Sequence, residues 1–93
     1  MRFEWDERKN ASNFRKHGVS FEVASEVFGD PLVSSRQDRH VNGEERWTAI
    51  GWARRQIVFV AFTLDESGGE EVVRIISARG ATRQERRDFE GRA

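Results

Sequence analysis

The chain has 93 residues, with sixteen basic and sixteen acidic side chains, a formal net charge of zero and no cysteine. That length suits one hydrophobic core, so a single domain over residues 1–93 is expected. Without cysteine there are no disulfides, thiolate metal sites or cysteine nucleophile, and no stretch approaches the roughly 20 apolar residues of a membrane-spanning helix.

The opening Met1-Arg-Phe-Glu-Trp5 is not a basic-then-apolar leader, so a cytoplasmic protein with no membrane partner is expected. Phe3 and Trp5 alternate with polar neighbours, which predicts a short first strand over residues 2–5. Asp6 is then an N-cap for a helix that ends at His17, where Lys16, His17 and Gly18 supply a basic last turn and a left-handed cap. On that helix Asn10, Asn13, Phe14 and His17 share one half-polar face.

Ser20 caps a second short helix whose apolar stripe is Phe21, Ala24, Val27 and Phe28, and Gly29 stops it. Asp30-Pro31 is a turn, followed by an outer strand from Leu32 through Gln37 and a loop rich in Asp38, Arg39, His40, Asn42 and Gly43. Residues 45–53 read as the next strand and Ile57–Leu64 as its hairpin partner, with Arg54-Arg55-Gln56 between them. Asp65–Glu71, holding Gly68-Gly69, connects to a strand over Val72–Ala78, completing a meander. Thr82-Arg-Gln-Glu85 matches a capping box, so a last helix begins there and runs to about Gly91 with Phe89 docked on the sheet. The order β-α-α-β-β-β-α with a mostly antiparallel sheet belongs to the α+β class, with one sheet face covered and the other open. Phe14, Phe21, Phe28, Val58 and Val60 are the expected core.

Charge is uneven along the chain. Residues 1–73 carry ten basic and thirteen acidic side chains, whereas residues 74–93 carry six arginines and three acids. Fourteen of the sixteen basic residues are arginine, whose planar fork grips phosphate bidentately and stacks on bases. The clustering points toward a phosphate-bearing partner.

The residues Phe3-Glu-Trp-Asp6, Lys9, Asn13, Lys16-His-Gly18, Phe21, Ala24, Phe28-Gly-Asp-Pro31, Glu45-Arg46, Gly51 and Arg74-Ile-Ile-Ser-Ala-Arg79, with Ala81 and Glu85, resemble the BrnT family of type II toxins. The resemblance spans nearly the whole chain. It implies a RelE-like fold, endoribonuclease cleavage of RNA, translation arrest, and neutralisation by a BrnA-type antitoxin with a ribbon-helix-helix part. DNA would be a partner only through that antitoxin. One departure is Gly80, where the family commonly has a basic residue.

Two histidines without metal-ligand spacing make a metal or other cofactor unexpected. Metal-free cleavage needs one proton removed, one supplied, and charge stabilised on the phosphate oxygens, a task suited to arginine. Arg79, between the last strand and the helix start, is the leading catalytic candidate, and an ion pair with a helix acid is its structural alternative. Arg46 and Arg74 on strands are further catalytic candidates, with cross-strand pairing to Glu44, Glu45, Glu70 or Glu71 as theirs. Ser77 shares the parity of Arg79 and could help hold phosphate. Arg83 and Arg86 read as RNA-backbone or antitoxin contacts, and Arg87 as a weaker one. His17 is the candidate acid or base, with a packed role at a helix end as the alternative. Trp47 and Trp52 lie on opposite strand faces and cannot both fill one core, so one is free to stack on RNA or antitoxin. A noncatalytic RNA-binding or antitoxin-binding module is the competing reading of the same features.

Overall fold

The computed structural model describes residues 1–41 and 44–91, with the backbone alone at residues 39–41. The strands are β1 (Arg2–Glu4), β2 (Ser34–Val41), β3 (Glu44–Ala53), β4 (Gln56–Ser67) and β5 (Glu70–Gly80), and the helices are α1 (Glu7–His17), α2 (Phe21–Ser25) and α3 (Arg83–Glu90). A 3-10 turn over Glu26–Gly29 follows α2. Among the described residues the sheet order is β1-β5-β4-β3-β2, with only the β1–β5 pair parallel. This is the expected α+β class with a mostly antiparallel sheet, in the expected order once the outer strand is counted as one of four strands between α2 and α3, and it is compatible with a RelE-like fold. Asn42 and Gly43 of the expected loop lie outside the described residues.

The hairpins run further than their apolar patterns indicate. Asp65–Ser67 and Glu70–Glu71 pair across the β4–β5 ladder, leaving the turn to Gly68 and Gly69, both at positive φ. Asp38 likewise belongs to β2. Backbone pairing carries these ends even though their side chains face water, so hydropathy does not reveal them.

Local signals set the helix ends. The Asp6 carboxylate accepts from the Arg8 and Lys9 amides, and Gly18 closes α1 at φ 74°. Phe21, Ala24 and Val27 then pack on one sheet face with Ala49, Ala53, Val58, Val60, Phe62, Val73, Ile75 and Ala78. Phe28 is half-buried, its ring edge-on to Phe62, and Trp5 is also half-buried, edge-on to Phe21. Fully burying each large side chain contributes roughly 1.5–3 kcal/mol. Gly51 is required where β3 meets the 3-10 turn, because a Cβ there would lie 3.1 Å from both Val27 and the Asp30 carboxylate. Asp30 in turn accepts from the Trp52 and Leu32 amides.

Phe14 is 54% exposed, correcting its expected burial. The inward positions of α1 are taken by Asn10 and Asn13, both buried. The physical reason lies on β5. β1 ends opposite Arg74, so the edge of β5 beyond it has no neighbouring strand, and its backbone groups need partners. Asn13 supplies them: its amide donates to the Ala78 and Val19 carbonyls, at 2.8 and 2.9 Å, and its oxygen accepts from the Ala78 N–H. Asn10 similarly accepts from the Phe21 N–H and donates to Glu22.

Next to this anchor the sheet carries a β-bulge. Ala61 pairs with Ser77 but Phe62 with Ile75, so Ile76 is an extra residue in β5. The parity of β5 therefore changes at this point. Val73, Ile75 and Ala78 face the core, while Arg74, Ser77 and Arg79 turn to the opposite face.

Replacing Asn13 by Leu leaves three buried backbone groups unpaired and is expected to cost roughly 3 kcal/mol. In a protein of this size that lowers the melting temperature by on the order of 10–20 °C. Phe14→Ser, by contrast, should change stability by about 0.5 kcal/mol or less. Thermal or urea unfolding of the two variants checks both.

Candidate RNA-cleaving face and cationic cleft

The face of the sheet away from α1 and α2 is defined by lateral rows. Arg79 on β5 lies beside Phe59, Ile50 and Ser34, and Ser77 lies beside Ala61, Thr48 and Arg36. Arg74 shares this face with Thr63 and Glu4, and Arg46 has the parity of Thr48. The strands thus bring three expected catalytic arginines and Ser77 onto one open face. They do not converge on one point, since Arg74 and Arg79 are on the order of 15 Å apart along β5 at strand rise.

Arg79 is the most firmly held. Its Nη1 and Nη2 donate to the two Glu85 carboxylate oxygens at 2.8 and 3.0 Å, and Nη1 also donates to the Gly80 carbonyl. The guanidinium carbon stands 4.4 Å from the Phe59 ring centroid, a cation–π contact. Glu85 also closes the capping box, accepting from the Thr82 N–H at 2.9 Å while the Thr82 hydroxyl accepts from the Glu85 N–H. One carboxylate therefore starts α3 and fixes Arg79. The helix-acid alternative is realised, yet two of the five guanidinium N–H groups, at Nε and Nη2, keep no partner among the described residues. The hydrogen bond from Arg79 holds the Glu85 carboxyl below the ordinary glutamate range, and the Glu85 carboxylate raises Arg79 further above its ordinary value.

Arg74 pairs with Glu4 at 3.4 Å, a different acid from those the sequence suggested. Arg46 is half-buried, and its buried Nε has no partner among the described residues. Ser77 is exposed. His17 sits exposed in the last turn of α1, and among the described residues nothing ties it to the arginine-bearing face. The structure does not bring it to Arg79.

Beyond the sheet, α3 separates its charges. Glu85, Asp88 and Phe89 border a groove of about 310 Å³ above Ile50, Phe59 and Arg36, and Phe89 is buried as expected. The opposite flank, with Arg83, Arg86 and Arg87, borders a separate cleft of about 490 Å³ reaching Trp52 and Arg55 at the β3–β4 turn. Trp47 packs on the core while Trp52 remains 42% exposed. Gly80 also lines this cleft, and a Cβ there would meet the Gln56 amide nitrogen at 2.8 Å. Sequence reading missed Phe59, and it gave Arg79 a helix acid as an alternative partner without assigning that partner to Glu85, which it credited only with the cap. The six-residue separation of Arg79 and Glu85 was the available signal, since a helix starting at Thr82 turns its third residue back toward the strand end.

A small α+β protein with arginines across an open sheet face and a cationic cleft beside it is built to engage a polyanion. The family model described as "Ribonuclease toxin, BrnT, of type II toxin-antitoxin system" matches residues 5–85. The chain belongs to this family and is a ribonuclease toxin, with RNA as its target and an antitoxin as its partner. No curated protein matches it. Among the described residues no helix is long and apolar enough to cross a membrane.

Because the folded Glu85 carboxyl is depressed, its stabilising contribution is present in full above the ordinary glutamate range and is lost as pH falls through the folded value. The stability difference between the native protein and Glu85→Gln should therefore be constant above about pH 5 and shrink below about pH 4. Urea unfolding across this interval reads it directly.

Proposed function

We infer that this protein is a metal-independent endoribonuclease that arrests translation in the cytoplasm, and that its partner is a BrnA-type antitoxin whose ribbon-helix-helix part contacts DNA. The observation that carries the catalytic reading is Arg79, whose guanidinium is fixed by Glu85 and Phe59 with two N–H groups to spare. In the reaction the RNA 2′-oxygen bonds to the adjacent phosphorus as the bond to the 5′-oxygen breaks. One proton leaves the 2′-hydroxyl and one reaches the departing oxygen, giving a 2′,3′-cyclic phosphate. Charge grows on the equatorial oxygens, and a donor already held in place stabilises that charge without reorganising. Ser77 shares the face and supplies a hydroxyl toward the same backbone. Arg46 and Arg74, at the far end, meet phosphates further along the strand, while Arg83 and Arg86 grip backbone from α3. Guanidinium donors of this kind provide the charge stabilisation that a metal ion supplies in other nucleases.

The test is cleavage of RNA by purified protein in EDTA, under single-turnover conditions, beside direct RNA binding at several salt concentrations. Arg79→Ala is expected to slow cleavage about 30- to 1,000-fold, equivalent to roughly 2–4 kcal/mol, with a much smaller loss of affinity. Arg86→Ala should weaken binding across all RNA sequences and flatten the salt dependence by about one phosphate contact, while cleavage at saturating RNA persists. Circular dichroism confirms that each variant is folded. Equal, small effects of both changes on cleavage would remove the Arg79 assignment, and binding without any cleavage by the native protein would leave a binding module.

A further inference from the structure

The cleft between the β3–β4 turn and α3 gathers more positive charge than the fold needs. Arg55, Arg83, Arg86 and Arg87 border it against a single acid, Glu90, and none of the four guanidinium groups has an ion-pair or hydrogen-bond partner among the described residues. The contrast with their neighbours is direct. Arg54, one residue earlier, is tied to Glu26 at 3.1 Å, and Arg79, just before the cleft's inner wall at Gly80, is tied to Glu85. Four unpaired guanidiniums around one space repel each other, so the arrangement is stabilised by an anion.

The cleft also holds an aromatic surface. Trp52 pairs with Ile57 across the hairpin, and Ile57 is buried while Trp52 stays 42% exposed. Its backbone is fixed from behind, since its N–H donates to Asp30 at 2.7 Å. An exposed indole on an anchored stretch of strand, among arginines, offers a flat π surface at the point where phosphates are attracted. That combination matches a stacked base with its flanking phosphates, the pairing of groove charge and aromatic platform that binds single strands. The other flank of α3 carries Glu85 and Asp88 beside Arg79, so the unpaired cations of the helix are concentrated on this side.

We propose that this cleft is a nucleotide subsite, holding an unpaired base against Trp52 and its phosphates on Arg55, Arg83, Arg86 and Arg87, and thereby selecting single-stranded RNA. The inference rests on the ribonuclease reading for its RNA substrate and extends that reading from the sheet face to a separate place. In a duplex the bases are stacked inside and their faces are closed to the indole, so a paired segment gains only the phosphate contacts.

The test uses a 2′-O-methyl oligonucleotide of about eight nucleotides, within the ~4–16 that single-strand grooves cover, alone and as a duplex. The modification blocks the attacking 2′-oxygen, so binding is read without cleavage. The single strand should quench tryptophan fluorescence of the native protein. Trp52→Ala should abolish that quenching and weaken single-strand binding about 5- to 100-fold, with duplex binding unchanged, whereas Trp52→Phe should retain most of the affinity. Arg55→Gln combined with Arg87→Gln should reduce the slope of log affinity against log salt by about 1.4, two phosphates at ~0.7 each. Unaltered single-strand affinity in folded Trp52→Ala would overturn the proposal even if the native protein cleaves RNA. So would a variant that loses antitoxin affinity but keeps RNA affinity, which would make the cleft a protein-docking surface. Quenching and binding by a native protein that cuts no RNA would instead sustain the subsite and overturn the ribonuclease reading.

Discussion

The amide of Asn13 does the work of a missing strand. Where β1 stops, the outer edge of β5 would present unpaired backbone groups inside the protein, and Asn13 satisfies both the N–H and the C=O of Ala78 while also binding Val19. This joins α1, the start of the α2 segment and the far end of β5 at one residue. It also lies beside the bulge at Ile76, so the anchor fixes the stretch in which β5 changes parity. The orientation of Ser77 and Arg79 depends on that change. On a regular strand Arg74 and Arg79, five residues apart, would point to opposite faces.

Electrostatics then divides the exposed surface into regions with different tasks. Glu85 serves the capping box and Arg79 at once, so the helix start and the arginine are ordered together. The arginine gains a fixed position and loses part of its net field, because a carboxylate already stands against it. Among the described residues, the cations that border the other flank of α3 and the β3–β4 turn have no such carboxylate against them. In the proposed function, positioning for chemistry and attraction of the polyanion fall to different arginines, in keeping with precise placement mattering more than charge count where bonds change.

Several residues behind the family resemblance have plain structural tasks here. Gly18 closes α1 in the left-handed region, Asp30 ties the 3-10 turn to the Trp52 amide, and Gly51 leaves room for Val27. The Arg74–Arg79 segment combines a structural task, the bulge and its anchor, with the presentation of two arginines. Substitutions in these two groups therefore act through different links, the first through folding and the second through the orientation of charge.

The sequence by itself determined the α+β class, the helix caps at Asp6, Ser20 and Thr82, the hairpin over Arg54 and Arg55, the apolar faces of Phe21, Val58 and Val60, and the cationic character of the C-terminal fifth. These follow from local periodicity, capping chemistry and residue counts, which need no knowledge of distant partners. Tertiary structure decided the exposure of Phe14, because a free strand edge 65 residues away claimed the inward position for Asn13. It decided the shared face of Arg74 and Arg79, because a bulge is a mismatch between two strands and neither strand encodes it alone. It separated His17 from the arginines, and it placed Trp52 with Arg83, Arg86 and Arg87, because docking Phe89 turns one flank of α3 toward the hairpin. Each of these depends on packing between segments remote in the chain, where the need to pair buried backbone groups and to bury Phe89 outweighs any local preference.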